Sequence, residues 1–324
     1  MKILITGISG QDGVFLTKLI TEKYQNASIL GISRTISEQE FLLKYKISQL
    51  NKFQEIKIID LDLNNAGLVN KLVNEFKPDY LFNLSGPSSV YESIKKPEIE
   101  TEIMSTFDNL TKALIKNNNF CNFFQASTSE MYGLNNKTNI YNELSDFMPN
   151  SPYALGKLSN HYKVNYLKET YEWNIYSGIM FNHESEYRKS EFLFMKIIEA
   201  AYRIQKKEQS ELKIGSLSYC RDWSYAEDIA KGILLLTTEG VNYDYVLGSG
   251  VGTTIEKVVE TIFNMFNLDY KNYVIVDKSI LRENDPEIII SDPSKIYTEL
   301  GWRATKSLED LIEIMVKSKI DNLR

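Results

Sequence analysis

A tyrosine and a lysine, Tyr153 and Lys157, are spaced four residues apart in the segment SPYALGK. Ser151 can cap a helix and Pro152 suits its first turn, so we expect a helix over residues 153–171 with both side chains on one face. A lysine ammonium beside a phenol favours the phenolate, which lowers the pKa of the tyrosine from about 10. The pair therefore predicts a tyrosine that acts as a base nearer neutral pH.

Context distinguishes this pair from others with the same spacing. Tyr91/Lys95 and Tyr202/Lys206 also fit the pattern, and an exposed helix pair is the simpler interpretation for both. Only Tyr153 follows QASTSEMYG at residues 125–133, a cluster of hydroxyl residues and an acid at the end of a predicted buried strand, 120–124. An α/β sheet carries its chemistry at that end of its strands.

The composition is that of a soluble globular protein. At 324 residues, 43% hydrophobic and 25% charged, the chain can form one large domain with a smaller lobe. We find no signal peptide pattern and no run near the ~20 apolar residues of a membrane span, so the expected location is cytoplasmic, without membrane contact.

Several classes of chemistry have little support. Cys121 and Cys220 give neither a disulfide framework nor a metal-ligand spacing. With His161 and His183 as the only histidines, a histidine-based zinc site or a Ser/His/Asp triad has few candidates, so we expect no metal. A net charge of −6 argues against nucleic acid as a partner, although local Arg and Lys residues can still hold a small phosphate.

A glycine-rich turn follows the first predicted strand, 1–6. Gly7, Gly10 and Gly13 lie in GISGQDG, directly before a helix that starts near Asp12. Glycines allow a tight turn and a close approach of the backbone to a pyrophosphate, at which the helix N-terminus is directed. Between the first strand and the first helix, this pattern predicts a dinucleotide site.

The tip of the second predicted strand, 27–32, bears on the choice of dinucleotide. NAD-preferring enzymes usually carry an acid there, whereas this chain has Ser33-Arg34-Thr35. An arginine suits a 2′-phosphate, so NADP is favoured, with NAD as the alternative. In the alternative interpretation Arg34 is a solvated surface residue.

The third and fourth strands, predicted at 56–59 and 80–84, also end in residues suited to a cofactor. Asp60 or Asp62 can accept from an adenine amino group, although a loop or N-cap role suits either residue as well. The small residues of 85–89 fit a backbone that lines a cleft.

Regular alternation of strands and helices continues to a sixth strand at 174–181, with helices that include 37–50 and 98–116. It predicts an α/β fold with a doubly wound parallel sheet. Beyond it the alternation is lost. Helices at 192–207, 254–266 and 308–319 and a short strand near Leu212 predict a smaller mixed C-terminal lobe.

Motifs across nearly the whole chain carry a family resemblance. They are GISGQDG (7–13), Asp62-Leu63, Asn83-Leu84, QASTSEMYG (125–133), SPYALGK (151–157), FNHES (181–185), RDW (221–223), Asp292-Pro293-Ser294-Lys295 and Leu300-Gly301-Trp302. The chain resembles an extended short-chain dehydrogenase/reductase and is most similar to the GDP-mannose 4,6-dehydratases and related nucleotide-sugar enzymes. The resemblance implies an NADP-binding Rossmann domain at 1–181 plus 222–248 and a nucleotide-sugar-binding lobe at 182–221 plus 249–324.

The resemblance also implies roles for individual residues. The implied catalytic residues are Thr128, Glu130, Tyr153 and Lys157. The implied cofactor residues are Gly7, Gly10, Gln11, Asp12, Gly13, Arg34, Asp62, Leu63, Leu84, Ser85, Tyr153, Lys157 and His183, the last near the nicotinamide. The implied substrate residues are Ser88, Asn182, Lys196, Arg221 and Arg282. The implied activity is that of a lyase that forms a 4-keto-6-deoxy sugar. Its implied substrate is a nucleotide sugar with a GDP-linked hexose or a related sugar, and the implied assembly is a homodimer or homotetramer.

The chain departs from the family pattern at four places: 85–89, the turn 186–189, Arg34-Thr35 in place of paired arginines, and 282–286. These positions are expected to contact the sugar, the nucleotide, the cofactor phosphate or a tetramer partner. A 4-epimerase, 4-reductase or 4-dehydrogenase is the rival enzyme, since it needs Tyr153 and Lys157 but not Glu130. A non-enzymatic cofactor sensor is the other rival, and it needs neither a base nor its lysine.

Overall fold

A computed structural model of the chain describes residues 1–45, 47, 55–134, 139–241, 243–281 and 284–321. The strands are β1 (Lys2–Thr6), β2 (Ser28–Ile32), β3 (Glu55–Ile59), β4 (Tyr80–Asn83), β5 (Asn122–Thr128), β6 (Ile140–Tyr141), β7 (Ile175–Met180), β8 (Asn182–Glu184), β9 (Leu212–Ile214), β10 (Cys220–Tyr225), β11 (Asp244–Leu247), β12 (Gly252–Thr254), β13 (Val274–Val276) and β14 (Ile288–Ser291). The helices are α1 (Gln11–Lys23), α2 (Glu38–Lys44), α3 (Ala66–Phe76), α4 (Val90–Lys95), α5 (Ile99–Lys116), α6 (Pro152–Tyr171), α7 (Leu193–Gln205), α8 (Ala226–Glu239), α9 (Ile255–Met265), α10 (Ser294–Leu300) and α11 (Leu308–Asp321).

The larger sheet has seven parallel strands in the order β11-β7-β5-β4-β1-β2-β3. This arrangement confirms the predicted doubly wound α/β fold. The chain reverses its direction of travel across the sheet between β1 and β4, which are neighbours. Ligands of such sheets bind at the carboxyl ends of the strands beside this reversal.

Helices cover both faces of this sheet because its strands are apolar on both sides. Leu16 and Ile20 of α1 share one buried cluster with Ile229 and Ile233 of α8. The opposite face is covered by α3, α5 and α6, which contribute a second buried cluster that includes Val69, Val73, Phe107, Leu110, Val164 and Leu167. The sheet is therefore enclosed, and its strand ends remain as the place for a ligand.

The smaller lobe is mixed, as predicted. Strands β12, β10, β14 and β6 form a sheet to which β8 is joined through β10, and β9 pairs with β13. Apolar residues of α7, α9 and α11 form its core, with Phe194, Phe263 and Ile312 fully buried. Among the described residues, no helix is both long enough and apolar enough to cross a membrane.

The strand β5 differs from the prediction. It begins at Asn122 and continues to Thr128, because its last four residues pair with β7, from Gln125 with Ser177 to Thr128 with Met180. Phe120 lies before the strand and packs on Tyr171 and Trp173. The hydroxyl cluster is thus partly strand, and Thr128 is held at the end of it.

Other elements also differ from the prediction. The helix α4 was missed, and α2 ends at Lys44, although residues 46 and 48–50 of the predicted helix lie outside the described residues. Strand β11 is added to the edge of the larger sheet and α8 packs on its face. Both lie in the range 222–248, which the resemblance assigned to the Rossmann domain without naming either element. Trp302, in the range assigned to the lobe, donates from its indole nitrogen to the carbonyl of Asp228 in α8 at 3.0 Å.

Candidate functional site

The turn between β1 and α1 needs glycine for two separate reasons. Gly7 has a φ of +71°, and a Cβ there would lie 2.9 Å from backbone atoms of Leu84 and Ser85. A Cβ at Gly13 would lie 2.6 Å from the Cα of Ile8. The turn therefore fits closely against the end of β4, and the N-terminus of α1 opens toward the space between β1 and β4.

A cavity of about 530 Å³ lies at this N-terminus. The implied cofactor residues that line it are Gly7, Gly10, Gln11, Asp12, Arg34, Asp62, Leu63, Leu84 and Ser85. Ser88, which the sequence analysis put on the substrate side, lines the same cavity. Asp62 accepts from the backbone N–H of Asn64 at 3.0 Å, and Asn65, not Asp60 or Asp62, caps α3.

Other residues of this wall were not among the implied cofactor residues, although 33–35 and 187–189 lie in segments that the sequence had singled out. The additional lining residues include Ser9, Ser33, Thr35, Lys44, Tyr45, Tyr187, Arg188 and Lys189. The hydroxyl of Ser9 lies 2.9 Å from that of Ser33 and 3.4 Å from that of Thr35. Ser9 lies within the glycine turn and the other two follow β2 directly, so their position was a usable signal, whereas residues 187–189 reach the cavity only through tertiary folding.

Tyr187 packs against α1 and the C-terminal end of α2. Its ring lies 5.1 Å from that of Tyr45 and 5.2 Å from that of Phe15, and Lys18 Nζ donates to its hydroxyl at 2.6 Å. Next to it, the Nε of Arg188 lies 3.0 Å from a carboxylate oxygen of the buried Glu184. Burial raises the pKa of Glu184, and the charge of Arg188 opposes that effect. A cation is thereby fixed at the edge of the cavity.

The implied catalytic residues meet at the end of β5. Tyr153 is in the first turn of α6 and is hydrogen-bonded to Thr128. The backbone N–H of Glu130 donates to Thr128 Oγ1 at 3.3 Å. The Glu130 charge contributes to raising the pKa of Tyr153, so the carboxylate is near the phenol. The four residues implied by the sequence therefore gather at one strand end, with Lys157 one helical turn beyond Tyr153.

The expected lowering of the tyrosine pKa is wrong for the protein alone. Burial raises the pKa of Tyr153 to about 12, and the hydrogen bond with Thr128 only partly opposes this. The Lys157 ammonium donates to the carbonyl of Ala126 at 2.9 Å and lies 5.8 Å from the centre of the Tyr153 ring. Burial lowers the pKa of Lys157 to about 8. The charge that was expected to stabilise the phenolate is engaged with the backbone of β5.

His183 is connected to α1 by a charged pair. Its Nδ1 donates to the carbonyl of Phe181 at 2.7 Å, and its Nε2 lies 3.1 Å from Asp12 Oδ1. Burial alone would lower the pKa of His183, but the Asp12 carboxylate outweighs burial and raises it. Burial likewise raises the pKa of Asp12, yet His183 reverses the direction and lowers it.

Gln11 makes a second connection to the same segment. Its Nε2 donates to the carbonyl of His183 at 2.9 Å, and Ser185 Oγ donates to its Oε1 at 2.9 Å. The FNHES segment is therefore fixed against the N-terminus of α1 by two consecutive residues of the glycine-rich motif.

The implied substrate residues do not gather at one place in the structure. Asn182 is in β8 beside Trp223, and Lys196 is exposed on α7. Arg221 is buried, with Nη2 3.1 Å from Asp285 Oδ1 and Nη1 donating to the carbonyls of Cys220 and Glu287. Arg282 lies outside the described residues. The structure thus brings Arg221 into a buried ion pair and leaves Lys196 on the surface.

Comparison with known proteins supports the sequence resemblance. The family model described as GDP-mannose 4,6 dehydratase matches residues 4–315. GDP-mannose 4,6 dehydratase 2 of Arabidopsis thaliana is 30% identical over 325 residues, which cover 98% of this chain and 86% of that protein. GDP-mannose 4,6-dehydratase of Sinorhizobium fredii (strain HH103) is 30% identical over 343 residues, covering 99% and 97%.

Solved structures match the fold over the whole chain. UDP-glucose 4-epimerase of Thermotoga maritima with UDP-glucose has a TM-score of 0.86 at 22% identity and covers 100% of both chains. dTDP-glucose 4,6-dehydratase of Bacillus anthracis in complex with NAD has a TM-score of 0.84 at 19% identity, covering 99% of this chain and 97% of that one. These structures show the fold. The family match over residues 4–315 and the 30% identity to the Arabidopsis protein establish that the chain belongs to the GDP-mannose 4,6 dehydratase family, a family of lyases.

Proposed function

We propose that this protein is a nucleotide-sugar 4,6-dehydratase that uses tightly bound NADP(H) and acts on a GDP-linked hexose or a related sugar. The observation that carries the proposal is the meeting of Thr128, Tyr153 and Glu130 at the end of β5. A phenol and a carboxylate at one site supply the two proton acceptors that the reaction needs. Oxidation at C4 alone needs only the first.

The cofactor is inferred from the cavity. Close packing at Gly7 and Gly13 lets backbone N–H groups reach a pyrophosphate, and the cavity has room for a dinucleotide beside them. Arg34 and the hydroxyls of Ser9, Ser33 and Thr35 suit a 2′-phosphate. Among the described residues, no acid pairs with Arg34. These features support NADP, with NAD as the alternative.

A nicotinamide cofactor held in the cavity would supply the hydride acceptor for C4 of the sugar and the hydride donor for C6 in the proposed reaction. Tyr153 removes the proton of the 4-hydroxyl during the first transfer. The resulting ketone acidifies the C5 hydrogen, which Glu130 removes as a proton. The C6 hydroxyl leaves as water with the proton that Tyr153 took from the 4-hydroxyl, and Glu130 returns its proton to C5 when hydride reaches C6. The hydrogen bond with Thr128 and the charge of Arg188 oppose the effect of burial on the Tyr153 pKa, so both favour the phenolate.

Glu130→Gln tests this proposal, because an amide cannot accept the C5 proton. The wild type is first given GDP-, UDP-, CDP- and dTDP-sugars, and products are identified by mass spectrometry. With the accepted sugar, Glu130→Gln should still reduce the nicotinamide, seen by absorbance, but lose about 10²- to 10⁴-fold in the rate of 6-deoxy product formation. Tyr153→Phe should lose both signals. Glu239→Gln, at an exposed residue of α8, is the matched control and should behave as wild type.

Two results would contradict the proposal. Near wild-type product formation by Glu130→Gln would show that Glu130 is not the base. A wild type that oxidises C4 but releases no water would be a dehydrogenase, reductase or epimerase, and one that turns over no sugar in the panel would favour a cofactor sensor.

A further inference from the structure

We propose that His161 is a positioning residue for this site: it holds the end of β5 that carries Thr128 and the backbone acceptor of Lys157. The inference rests on the proposed function, because it concerns the rate at which Tyr153 removes the sugar proton. No role was predicted for His161 from its position in the sequence.

His161 lies on the face of α6 that carries the catalytic pair. Tyr153, Lys157 and His161 occur at every fourth position of the helix, and all three are buried. Residues with this spacing lie one above another on a helix. His161 is therefore one turn beyond Lys157 and faces the same strands.

A chain of hydrogen bonds connects His161 to β5 through β7. His161 Nδ1 lies 2.8 Å from Ser177 Oγ, and Ser177 Oγ donates to Ser127 Oγ at 2.9 Å. Lys157 Nζ donates to the carbonyl of the preceding residue, Ala126, at 2.9 Å. Successive turns of α6 thus hold successive residues of β5, and Thr128 comes next in that strand.

The directions of these hydrogen bonds show which ring nitrogen of His161 carries the proton. Since Ser177 donates to Ser127, it accepts from His161 Nδ1–H. His161 Nε2 has no hydrogen-bond partner among the described residues, and it lies 3.9 Å from Asp244 Oδ2.

The surroundings of the ring keep it neutral. The groups around it are Asp244, which is paired with Lys295 at 2.8 Å, and the rings of Phe147, Tyr162 and Tyr243. Burial lowers the pKa of His161 to about 4, so the ring is neutral near pH 7. A buried Nε2 without a hydrogen-bond partner costs free energy, and an apolar residue at this position would avoid that cost. What an apolar residue could not supply is the Nδ1–H donor, so we infer that this donor is the reason for a histidine here.

Loss of this donor would release Ser127, and with it the two neighbours that contact the catalytic pair. The Ala126 carbonyl would no longer fix the Lys157 ammonium, and the Thr128 hydroxyl would be less well aligned with Tyr153. Small misplacements of reacting groups cost large factors in rate. The effect should fall on proton removal, because none of these contacts involves the lobe that is proposed to hold the nucleotide.

Three variants separate positioning from packing. His161→Leu removes the donor, Ser177→Ala removes the connection while keeping the imidazole, and His161→Asn keeps an N–H donor close to the Nδ1 position. Stopped-flow absorbance follows nicotinamide reduction by the sugar that wild type accepts. His161→Leu and Ser177→Ala should slow this step about tenfold with KM unchanged. The double variant should be no slower than either single variant, since both interrupt one chain.

The conservative variant and the pH profile complete the test. His161→Asn should recover the rate to within about threefold of wild type. The rate of nicotinamide reduction should increase with pH in both proteins, and the midpoint of that increase should lie at higher pH in His161→Leu than in wild type. The reason is that the Thr128 hydrogen bond, which lowers the Tyr153 pKa, is weakened in the variant.

Wild-type rates in both His161→Leu and Ser177→Ala would overturn the inference. So would equal slowing of His161→Asn and His161→Leu with an unshifted pH profile, which would indicate packing alone. A wild type without sugar turnover would instead refute the proposed function, and this inference with it.

Discussion

Asp12 and His183 join the glycine-rich turn to the segment after β7, with a carboxylate oxygen and the imidazole Nε2 3.1 Å apart. The pair favours a negative charge on Asp12 and a positive charge on His183, since each charge stabilises the other at the N-terminus of α1. The pKa of Asp12 is lowered and that of His183 is raised, whereas burial alone would raise the first and lower the second.

The chain has two histidines, and they should titrate on opposite sides of the usual value of 6.5. In NMR spectra recorded against pH, one imidazole should titrate above 6.5 (His183) and the other near 4 (His161). Asp12→Asn should lower the first value, since it removes the carboxylate charge, and leave the second unchanged. Two imidazoles that both titrate near 6.5 would contradict the described surroundings of these rings.

Stability should depend on pH through His161. Its folded pKa of about 4 is below the unfolded value of 6.5, so between these values the unfolded chain binds a proton that the folded chain does not. Stability should therefore fall as the pH drops from 6.5 to about 4. The difference, at about 1.4 kcal/mol per pH unit, is about 3 kcal/mol of unfolding free energy.

Urea unfolding of wild type and His161→Gln at several pH values measures this contribution. The variant should lose less stability over the interval, by up to about 3 kcal/mol. Parallel curves for the two proteins would show that His161 does not contribute. His183 acts in the other direction: its raised pKa gives stability that is present below 6.5 and lost as the pH rises through the folded value.

Arg34→Ala should weaken NADP(H) binding far more than NAD(H) binding, because only the former has the 2′-phosphate. A charge-assisted hydrogen bond of about 2 kcal/mol corresponds to roughly thirtyfold in Kd. Fluorescence titration with each reduced cofactor measures the difference. Arg303→Ala, at an exposed arginine that does not line the cavity, is the control. Equal weakening of both cofactors would rule out the assignment.

The assembly is expected to be at least a dimer formed through α5 and α6. Leu155, Tyr162 and Tyr166 are 46%, 57% and 64% exposed, and their spacing puts them along one side of α6. Light scattering should give a mass of twice 37.4 kDa or more at micromolar protein. Tyr162→Glu should dissociate the particle, whereas Leu43→Glu, at an exposed residue of α2, should not. A wild-type particle of only 37.4 kDa would refute the expectation.

The fold was largely predictable because its signals are local. The glycine turn, the capped start of α6 and the short apolar strands each depend on neighbouring residues. The conformation of residues 125–128 was harder to predict. They form a strand because they pair with β7, although three of the four are polar.

The sequence predicted which residues lie close together at the end of β5, but it did not predict which atoms they contact. Tyr153, Lys157, Thr128 and Glu130 gather as expected, but the acceptor of Lys157 is a backbone carbonyl, which has no sequence signature. Tyr187 and Arg188 reach the cavity only because Gln11 and Asp12 fix the preceding segment against α1. Contacts between distant segments of this kind do not follow from spacing.

The position of β11 at the outer edge of the larger sheet affects how the chain is made. Its partner β7 ends at Met180, and the ribosome must synthesise β8, α7, β9, β10 and α8 before β11 emerges. Until then the nascent chain presents the open edge of an apolar strand, which is prone to pair with other chains. The larger sheet is therefore completed late in synthesis, and the unpaired edge of β7 is the place where pairing with other chains is most favourable until then.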